Sequence, residues 1–153
     1  VGVGARASGS TRDSRKDIGY GIYDELDFEV ITETAGDVEA RIKVRIGEVA
    51  QSLKLVRQLI SKLRRNAETQ LAVELGELQQ EEGHFTWGIS ESARGDNLHC
   101  LLLDKEGRID RLFVRSASYP NWPALTVAVQ GDIIPDFPLI NKSFELCYAC
   151  IDR

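Results

Sequence analysis

Two thiols three positions apart, Cys147 and Cys150, are the side chains of this 153-residue sequence best suited to chemistry. A Cys-x-x-Cys turn brings both sulfurs to one centre, which suits a soft metal or a redox disulfide. A thioredoxin-like use requires a helix after the first cysteine to lower its pKa, and the seven residues from Cys147 onward leave no space for one. A zinc site requires two further ligands, and Cys100, His84 and His99 do not form a second close pair. We therefore expect the pair to supply half of a metal site whose other ligands lie elsewhere.

Composition limits the classes of function open to the chain. Lys and Arg number 19 against 24 Asp and Glu, and the net charge of −5 argues against a surface for nucleic acid or anionic membranes. Three cysteines fit a reducing compartment better than a secreted disulfide framework. No apolar run reaches the roughly 20 residues that span a bilayer. The length predicts one domain, residues 1–153, and a start at Val1 without any Met in the chain predicts a fragment whose upstream portion is missing.

The clearest structural pattern is an apolar stripe at helical spacing. Its members recur in steps of four and three, which predicts one long helix over residues 36–65. Thr34 followed by Asp37 resembles a capping box at the start of this helix. We expect a structural role for the stripe, and its length allows it to continue onto a partner. Its members are Val38, Ile42, Ile46, Val49, Leu53, Val56, Ile60 and Leu63.

The apolar spacing changes to that of strands after residue 84. This predicts a small antiparallel sheet of about three strands over residues 84–115, with turn chemistry at Asp104-Lys105-Glu106-Gly107. The predicted fold class is therefore α+β, mostly helical, with one long helix and short C-terminal helices. The remaining segments are expected to be irregular backbone at 1–30, a weak helix or exposed loop at 66–82, and short helices with the cysteine tail at 121–153, the first capped by Asn121.

Several stretches of the sequence, read in order, match one known family. They resemble the C-terminal half of the large subunit of nickel–iron (NiFe) hydrogenases. The similar branch is the energy-converting, formate-hydrogenlyase-like one, which is related to the 49-kDa-type subunit of complex I. The resemblance covers nearly the whole chain, and the shared order of the stretches makes it specific. The stretches are Gly4-Ala5-Arg6-Ala7-Ser8-Gly9, Arg12-Asp13-Ser14-Arg15-Lys16-Asp17, Tyr23-Asp24-Glu25-Leu26-Asp27-Phe28, Gly36-Asp37-Val38-Glu39-Ala40-Arg41, Glu91-Ser92-Ala93-Arg94-Gly95, Ser118-Tyr119-Pro120-Asn121, and Ser143-Phe144-Glu145-Leu146-Cys147 with Cys150 and Arg153.

The resemblance implies roles for individual residues. It makes Cys147 a terminal nickel ligand and Cys150 the sulfur that bridges nickel and iron, in a NiFe centre held by four thiolates. It makes Arg94 the arginine suspended over that centre, where a fixed guanidinium polarises H2 or binds diatomic ligands of the iron. Arg153 falls where a maturation protease cuts such subunits. The structural alternatives are a surface salt bridge for Arg94 and a packed strand residue for His99, where many hydrogenases place a histidine.

The resemblance also implies partners. These are the missing N-terminal half of the large subunit, an iron–sulfur small subunit that relays electrons, and membrane-arm subunits at the cytoplasmic face of the cell membrane. The other two thiolates and an acidic proton relay belong to the missing half, so this chain alone is expected to be inactive. The sequence departs from the family pattern at Ala93, where a proline is expected, and at Glu145-Leu146, which replaces Asp-Pro. The longer Glu145 is expected to shift a hydrogen bond beside the cysteines.

Three functions from different classes remain open at this stage. The chain is part of a hydrogenase that oxidises H2 or reduces protons, or part of a complex-I-like module that reduces quinone, or a metal-free piece whose long helix docks a partner. The retained cysteines favour the first, because the quinone-reducing branch generally lacks them. Metal analysis of the full assembly separates the first function from the other two.

Overall fold

The computed structural model describes residues 1–65 and 84–150. It confirms a mostly helical α+β fold with one long helix and a three-stranded antiparallel sheet. The expectations for 66–82 and for Arg153 lie outside the described residues. No helix within the described ranges is long and apolar enough to cross a bilayer. The elements in chain order are α1 (Gly2–Arg6), α2 (Ser14–Asp17), a 3-10 turn (Tyr23–Glu25), α3 (Val38–Arg65), β1 (Phe85–Ser92), β2 (Gly95–Leu103), β3 (Ile109–Arg115), α4 (Ser118–Ala128), a 3-10 turn (Ile134–Asp136), α5 (Phe137–Phe144) and a 3-10 turn (Tyr148–Cys150).

The long helix α3 agrees with its predicted range. It contains 28 residues and is about 42 Å long at 1.5 Å per residue. Its first turn is capped by Asp37, whose Oδ1 accepts a hydrogen bond of 2.7 Å from the backbone N–H of Ala40. The capping box proposed for Thr34 is therefore wrong, because Asp37 itself occupies the N-cap and bonds the N–H three residues on.

The apolar stripe of α3 does not face the interior of the described structure. Seven of its eight members are 46–66% exposed, and only Val38 is partly buried. The face that packs inward instead carries Ala40, Arg41, Val44 and Leu55. Since α3 turns most of its apolar side away from the other described elements, the stripe is not part of their core, and its continuation onto a partner stays a prediction. The seven exposed members are Ile42, Ile46, Val49, Leu53, Val56, Ile60 and Leu63.

The sheet has strand order β1-β2-β3, and all neighbours are antiparallel. The turn between β2 and β3 is confirmed, since Asp104 Oδ1 accepts bonds from the backbone N–H groups of Glu106 and Arg108. The turn between β1 and β2 is tight. Ser92 pairs with Gly95, so only Ala93 and Arg94 form the turn.

The N-terminal segment is more regular than expected. Residues 1–30 include α1, α2 and a 3-10 turn, so the prediction of irregular backbone is wrong there. These pieces are about one turn each, too short to show an apolar period. Their order comes from burial: Val3 and Ala7 pack against α3, and Phe28 packs against Leu55.

Helices α4 and α5 form the C-terminal layer. Leu125 of α4 packs with Ile140 and Phe144 of α5 and with Leu146 beyond it. α4 begins at Ser118, three residues before Asn121. The prediction that Asn121 caps this helix is therefore wrong, and its buried side chain bonds other parts of the structure.

Candidate metal centre

The turn that carries Arg94 lies against the cysteine tail. Arg94 Nε donates a hydrogen bond of 2.5 Å to the backbone carbonyl of Glu145, two residues before Cys147. On its other side, the Arg94 carbonyl accepts a bond of 3.3 Å from Asn121 Nδ2 in α4. Ser92 Oγ closes the turn by donating to the Gly95 carbonyl at 2.7 Å. The bond between Arg94 and Glu145 joins residues 51 positions apart in the sequence. It thereby brings the predicted arginine close to the first cysteine.

Two glycines permit the close approach of α1 to this turn. Gly2 has φ of +59°, and a Cβ there would lie 2.1 Å from the Arg94 carbonyl oxygen. Gly95 has φ of +125°, and a Cβ there would lie 2.8 Å from the backbone nitrogen of Gly2. Both positions therefore require glycine, for the backbone angle and for space. The contact therefore fixes the turn against α1.

The cysteine turn itself is held by α4 and α5. The backbone N–H of Cys147 donates to Ser118 Oγ at 3.1 Å, which anchors the first cysteine to the start of α4. The Tyr148 hydroxyl accepts a bond of 2.6 Å from Asn141 Nδ2, and the Tyr148 ring packs 5.0 Å from the ring of Trp122. These contacts orient the 3-10 turn that separates the two sulfurs.

The turn favours the thiolate form of Cys147. Hydrogen bonding from the Cys150 thiol lowers the pKa of Cys147, and the backbone N–H groups of Cys150 and Ala149 and the positive charge of Arg94 lower it further. Both cysteines are free rather than joined in a disulfide. A thiolate is the form of cysteine that binds metals, so this electrostatic environment suits ligation.

The backbone just before the cysteines is constrained by arginines that the sequence patterns did not single out. Glu145 is the only described residue other than glycine with positive φ, at +54°. Its carboxylate pairs with Arg45 at 3.2 Å and with Lys142 at 3.3 Å. The positive charge of Arg45 contributes most to lowering the pKa of Glu145, and Lys142 and Arg94 lower it further. Arg41 also reaches α5, where its Nε donates to Ser143 Oγ at 2.8 Å.

A buried charge cluster lies beside the Arg94 turn. Arg6, only 1% exposed, donates to Glu48 at 2.6 Å and to Glu91 at 2.9 Å, and its Nη1 lies 3.6 Å from Asp13. Arg15 forms a two-bond pair with Asp13. Burial raises the pKa of Glu48 despite the opposing charge of Arg6. Nothing in the sequence spacing indicated this cluster, because its members are far apart in the sequence. They come from α1, the residue before α2, α2 itself, α3 and β1.

The described residues bring two thiols together at the tail and add no third candidate ligand beside them. Within residues 1–65 and 84–150 no three His, Cys, Asp or Glu side chains lie close enough to hold a metal. Cys100 is half-buried on β2, opposite Trp87 and Phe113. His99 is exposed on the same strand, so the alternative that it is a packed strand residue is wrong. The donor set of Cys147 and Cys150 fits half of a four-thiolate centre.

Sequence comparison places this architecture in a family. Residues 1–83 and 70–153 match the family described as respiratory-chain NADH dehydrogenase, 49 Kd subunit. The two matched stretches together cover the chain. The chain belongs to this family.

Relatives within the 49-kDa family include both hydrogenases and quinone oxidoreductases. The chain is 36% identical to formate hydrogenlyase subunit 5 of Escherichia coli over its whole length, which is 26% of that protein. It is 34% identical to the carbon monoxide-induced hydrogenase of Rhodospirillum rubrum, covering all of the chain and 41% of that protein. Over 97% of the chain and 38% of the relative, it is 36% identical to a subunit of the NADH-quinone oxidoreductase of Salinispora tropica.

A solved structure from an archaeal respiratory membrane complex shares the fold. The chain superposes on one chain of the membrane-bound sulfane sulfur reductase with a TM-score of 0.87 and 28% identity. The superposition covers all of this chain and 42% of the other. The chain therefore spans between about a quarter and two-fifths of the length of these relatives. The predicted resemblance to the energy-converting hydrogenase and complex I branch is confirmed.

Proposed function

We propose that this chain is the cysteine-bearing part of a NiFe hydrogenase catalytic subunit that oxidises H2 or reduces protons. One observation carries the proposal: Cys147 and Cys150 form a free thiol pair directly beside the bonded Arg94 turn, and the surroundings of Cys147 lower its pKa. Relatives named as hydrogenases align over the full chain. The coarser conclusion is that the chain is a member of an oxidoreductase complex.

The residues present would have distinct roles in such a centre. Cys147 and Cys150 would hold the metals through sulfur, and the bound group would supply the capacity to split or form H2. As a thiolate, Cys147 Sγ would also be able to accept a proton, and its lowered pKa makes it a weaker base than an ordinary thiolate. Arg94 keeps a fixed positive charge beside the sulfurs because its Nε is tied to the Glu145 carbonyl. The two remaining thiolates must come from polypeptide outside this sequence.

The proposed function carries proposed partners and a proposed location. An iron–sulfur small subunit would exchange electrons with the centre, and membrane-arm subunits would anchor the assembly at the cytoplasmic face of the membrane. Relatives named as components of formate hydrogenlyase and hydrogenase-4 support a multi-subunit setting, and the structural neighbour belongs to a membrane complex. The net charge of −5 is consistent with the absence of a nucleic-acid partner.

A second candidate is a module that reduces quinone. It is favoured by the 36% identity to an NADH-quinone oxidoreductase subunit. In that case the cysteine pair would have no metal, and the chain would act as a scaffold within a complex-I-like assembly. A metal-free piece that only docks a partner is the third interpretation, and the exposed face of α3 is the surface it would use.

Metal analysis of the assembled complex that contains this chain tests the proposal. We expect stoichiometric nickel, H2-dependent reduction of a viologen dye, and loss of both in Cys147→Ser. Cys100→Ser is the matched control, because that half-buried thiol lies on the sheet and should retain both. The 153-residue chain alone should bind no stoichiometric nickel and evolve no H2.

Each outcome assigns the function. A complex without nickel that reduces quinone in an inhibitor-sensitive way would assign the second function, quinone reduction, instead of the hydrogenase function. A complex with neither nickel nor quinone reduction would assign the third function, docking of a partner. Nickel and activity that survive in Cys147→Ser would remove the cysteine pair from the centre.

A further inference from the structure

Two arginines on α3 both reach the end of α5. Arg41 and Arg45 are one helical turn apart and therefore lie on one face of the helix. Arg45 Nη2 donates to the backbone carbonyls of Ser143, at 3.3 Å, and Phe144, at 3.1 Å. The Arg41 guanidinium lies 4.1 Å from the centre of the Phe144 ring. The last turn of α5 thus has carbonyls satisfied by another helix.

The residue that follows α5 has a left-handed backbone conformation. The residue after a helix commonly turns into the left-handed region, where glycine is favoured. Here the position is Glu145, with φ of +54° and ψ of +37°. Its side chain and its backbone are both held by arginines: the carboxylate by Arg45 and the carbonyl by Arg94. A residue with a Cβ keeps this conformation only when its surroundings impose it.

These contacts determine where the cysteine turn points. Glu145 is two residues before Cys147, so a change in its backbone angles would swing both sulfurs away from Arg94. Arg45 contacts three consecutive residues at this point, through the carbonyls of Ser143 and Phe144 and the carboxylate of Glu145. A planar guanidinium offers several donors in fixed directions, which a lysine does not.

We infer that Arg45 is a positioning residue, which locks the left-handed turn at Glu145 and so aims Cys147 and Cys150 at the Arg94 turn. It acts through the backbone and touches neither cysteine in the hydrogen bonds of the described residues. Only the test that measures nickel retention rests on the proposed function. The test that measures hydrogen exchange of the backbone applies to any function of the cysteine pair.

Hydrogen exchange of the assembled complex tests the backbone readout. Arg45→Gln should raise the exchange rate of amides between residues 143 and 148 by about tenfold or more. The reason is that the Arg45 contacts that hold the turn are lost. The reporter is the Cys147 amide, which donates to Ser118 Oγ in the intact turn. Arg57→Gln is the matched control, since Arg57 lies on the same helix and is exposed. Equal exchange in the two variants overturns the inference.

A rescue experiment separates positioning from a general loss of charge. Glycine adopts positive φ without strain, so adding Glu145→Gly to Arg45→Gln should return exchange of the turn towards that of the Arg57 control. Arg45→Lys keeps the charge and covers the case in which the glutamine variant fails to assemble. It should still raise exchange several-fold. If Glu145→Gly does not restore the exchange rate, or if the exchange rate of Arg45→Lys equals that of the Arg57 control, positioning through the turn is contradicted.

Nickel retention supplies the metal readout. In complexes that contain nickel, Arg45→Gln should weaken retention against a chelator by about 10- to 100-fold, the range typical for residues that orient metal ligands. Unchanged retention in a nickel-containing complex overturns the role in metal positioning. If the wild-type complex lacks nickel, the proposed hydrogenase function fails, while exchange at residues 143–148 still decides the role of Arg45.

Discussion

Replacing Arg6 should show most directly how much the buried charge cluster contributes to the free energy of unfolding. Arg6 is 1% exposed and lies within 4 Å of three carboxylates, those of Glu48, Glu91 and Asp13. Arg6→Met keeps a long side chain but leaves these carboxylates with one cation, Arg15, among them. Removing one partner of a buried ion pair typically costs about 3–5 kcal/mol.

That loss is large against the stability of a small domain. A free energy of unfolding of about 5–15 kcal/mol is usual, and about 3–5 kcal/mol lowers the folding equilibrium constant by roughly one hundred- to a few thousandfold. Urea denaturation followed by circular dichroism measures the difference. Arg57→Met is the control, since Arg57 is exposed on α3 and its replacement should change stability by less than about 0.5 kcal/mol.

The pH dependence of the Arg6→Met deficit gives a second test. Burial already raises the pKa of Glu48, and removing the charge of Arg6 takes away the largest influence that lowers it. The folded variant therefore binds a proton at Glu48 at a pH where the unfolded chain does not, so its stability falls as pH rises through that window. The deficit should be larger at pH 8 than at pH 5. A deficit below about 1 kcal/mol, or one equal at both pH values, would refute the reasoning.

Substitutions at four further positions test the contacts described above. Gly2→Ala should destabilise by at least about 1–2 kcal/mol, measured by urea denaturation, because Cβ requires an unfavourable φ and overlaps the Arg94 carbonyl; an unchanged midpoint would mean that the α1 contact is absent. Asp37→Ala should cost about 1 kcal/mol through loss of the helix cap, and Asp37→Asn should restore most of it. Val44→Ala should cost on the order of 2 kcal/mol, while Ile46→Ala changes the isolated chain by less than about 0.5 kcal/mol. The reverse order would place the apolar stripe of α3 in the core after all.

Local patterns predicted the elements well where the signal is contained within one segment. The bounds of α3 follow from a sustained helical period, and the β2–β3 turn follows from Asp104 and Gly107, whose types suit a tight turn. The direction in which α3 faces could not be derived in this way. Periodicity identifies an apolar face but not which neighbour covers it, and here the described neighbours cover the opposite face, which bears Arg41 and Val44.

The candidate centre was predicted only in part for the same reason. Cys147, Cys150 and Arg94 have types and spacing that suggest chemistry, and the structure brings the arginine to the cysteine tail. Arg45 gave no such signal, because on a helix rich in Lys and Arg it has the spacing of an ordinary surface cation. Its contacts at the end of α5 depend on tertiary structure, across 98 and 99 residues of sequence.

The long separations at this centre have a consequence for the order of folding. The Arg45 bond to Phe144 closes a loop of 99 residues, and the Arg94 bond to Glu145 closes one of 51. Closing large loops costs entropy before any contact is gained, and structures dominated by distant contacts fold slowly. Helix α3 and the β2–β3 hairpin can form from nearby residues. We therefore expect the sulfurs to acquire their final geometry late, after the chain has brought its first and last segments together. Under the proposed function, metal would then bind only after this closure.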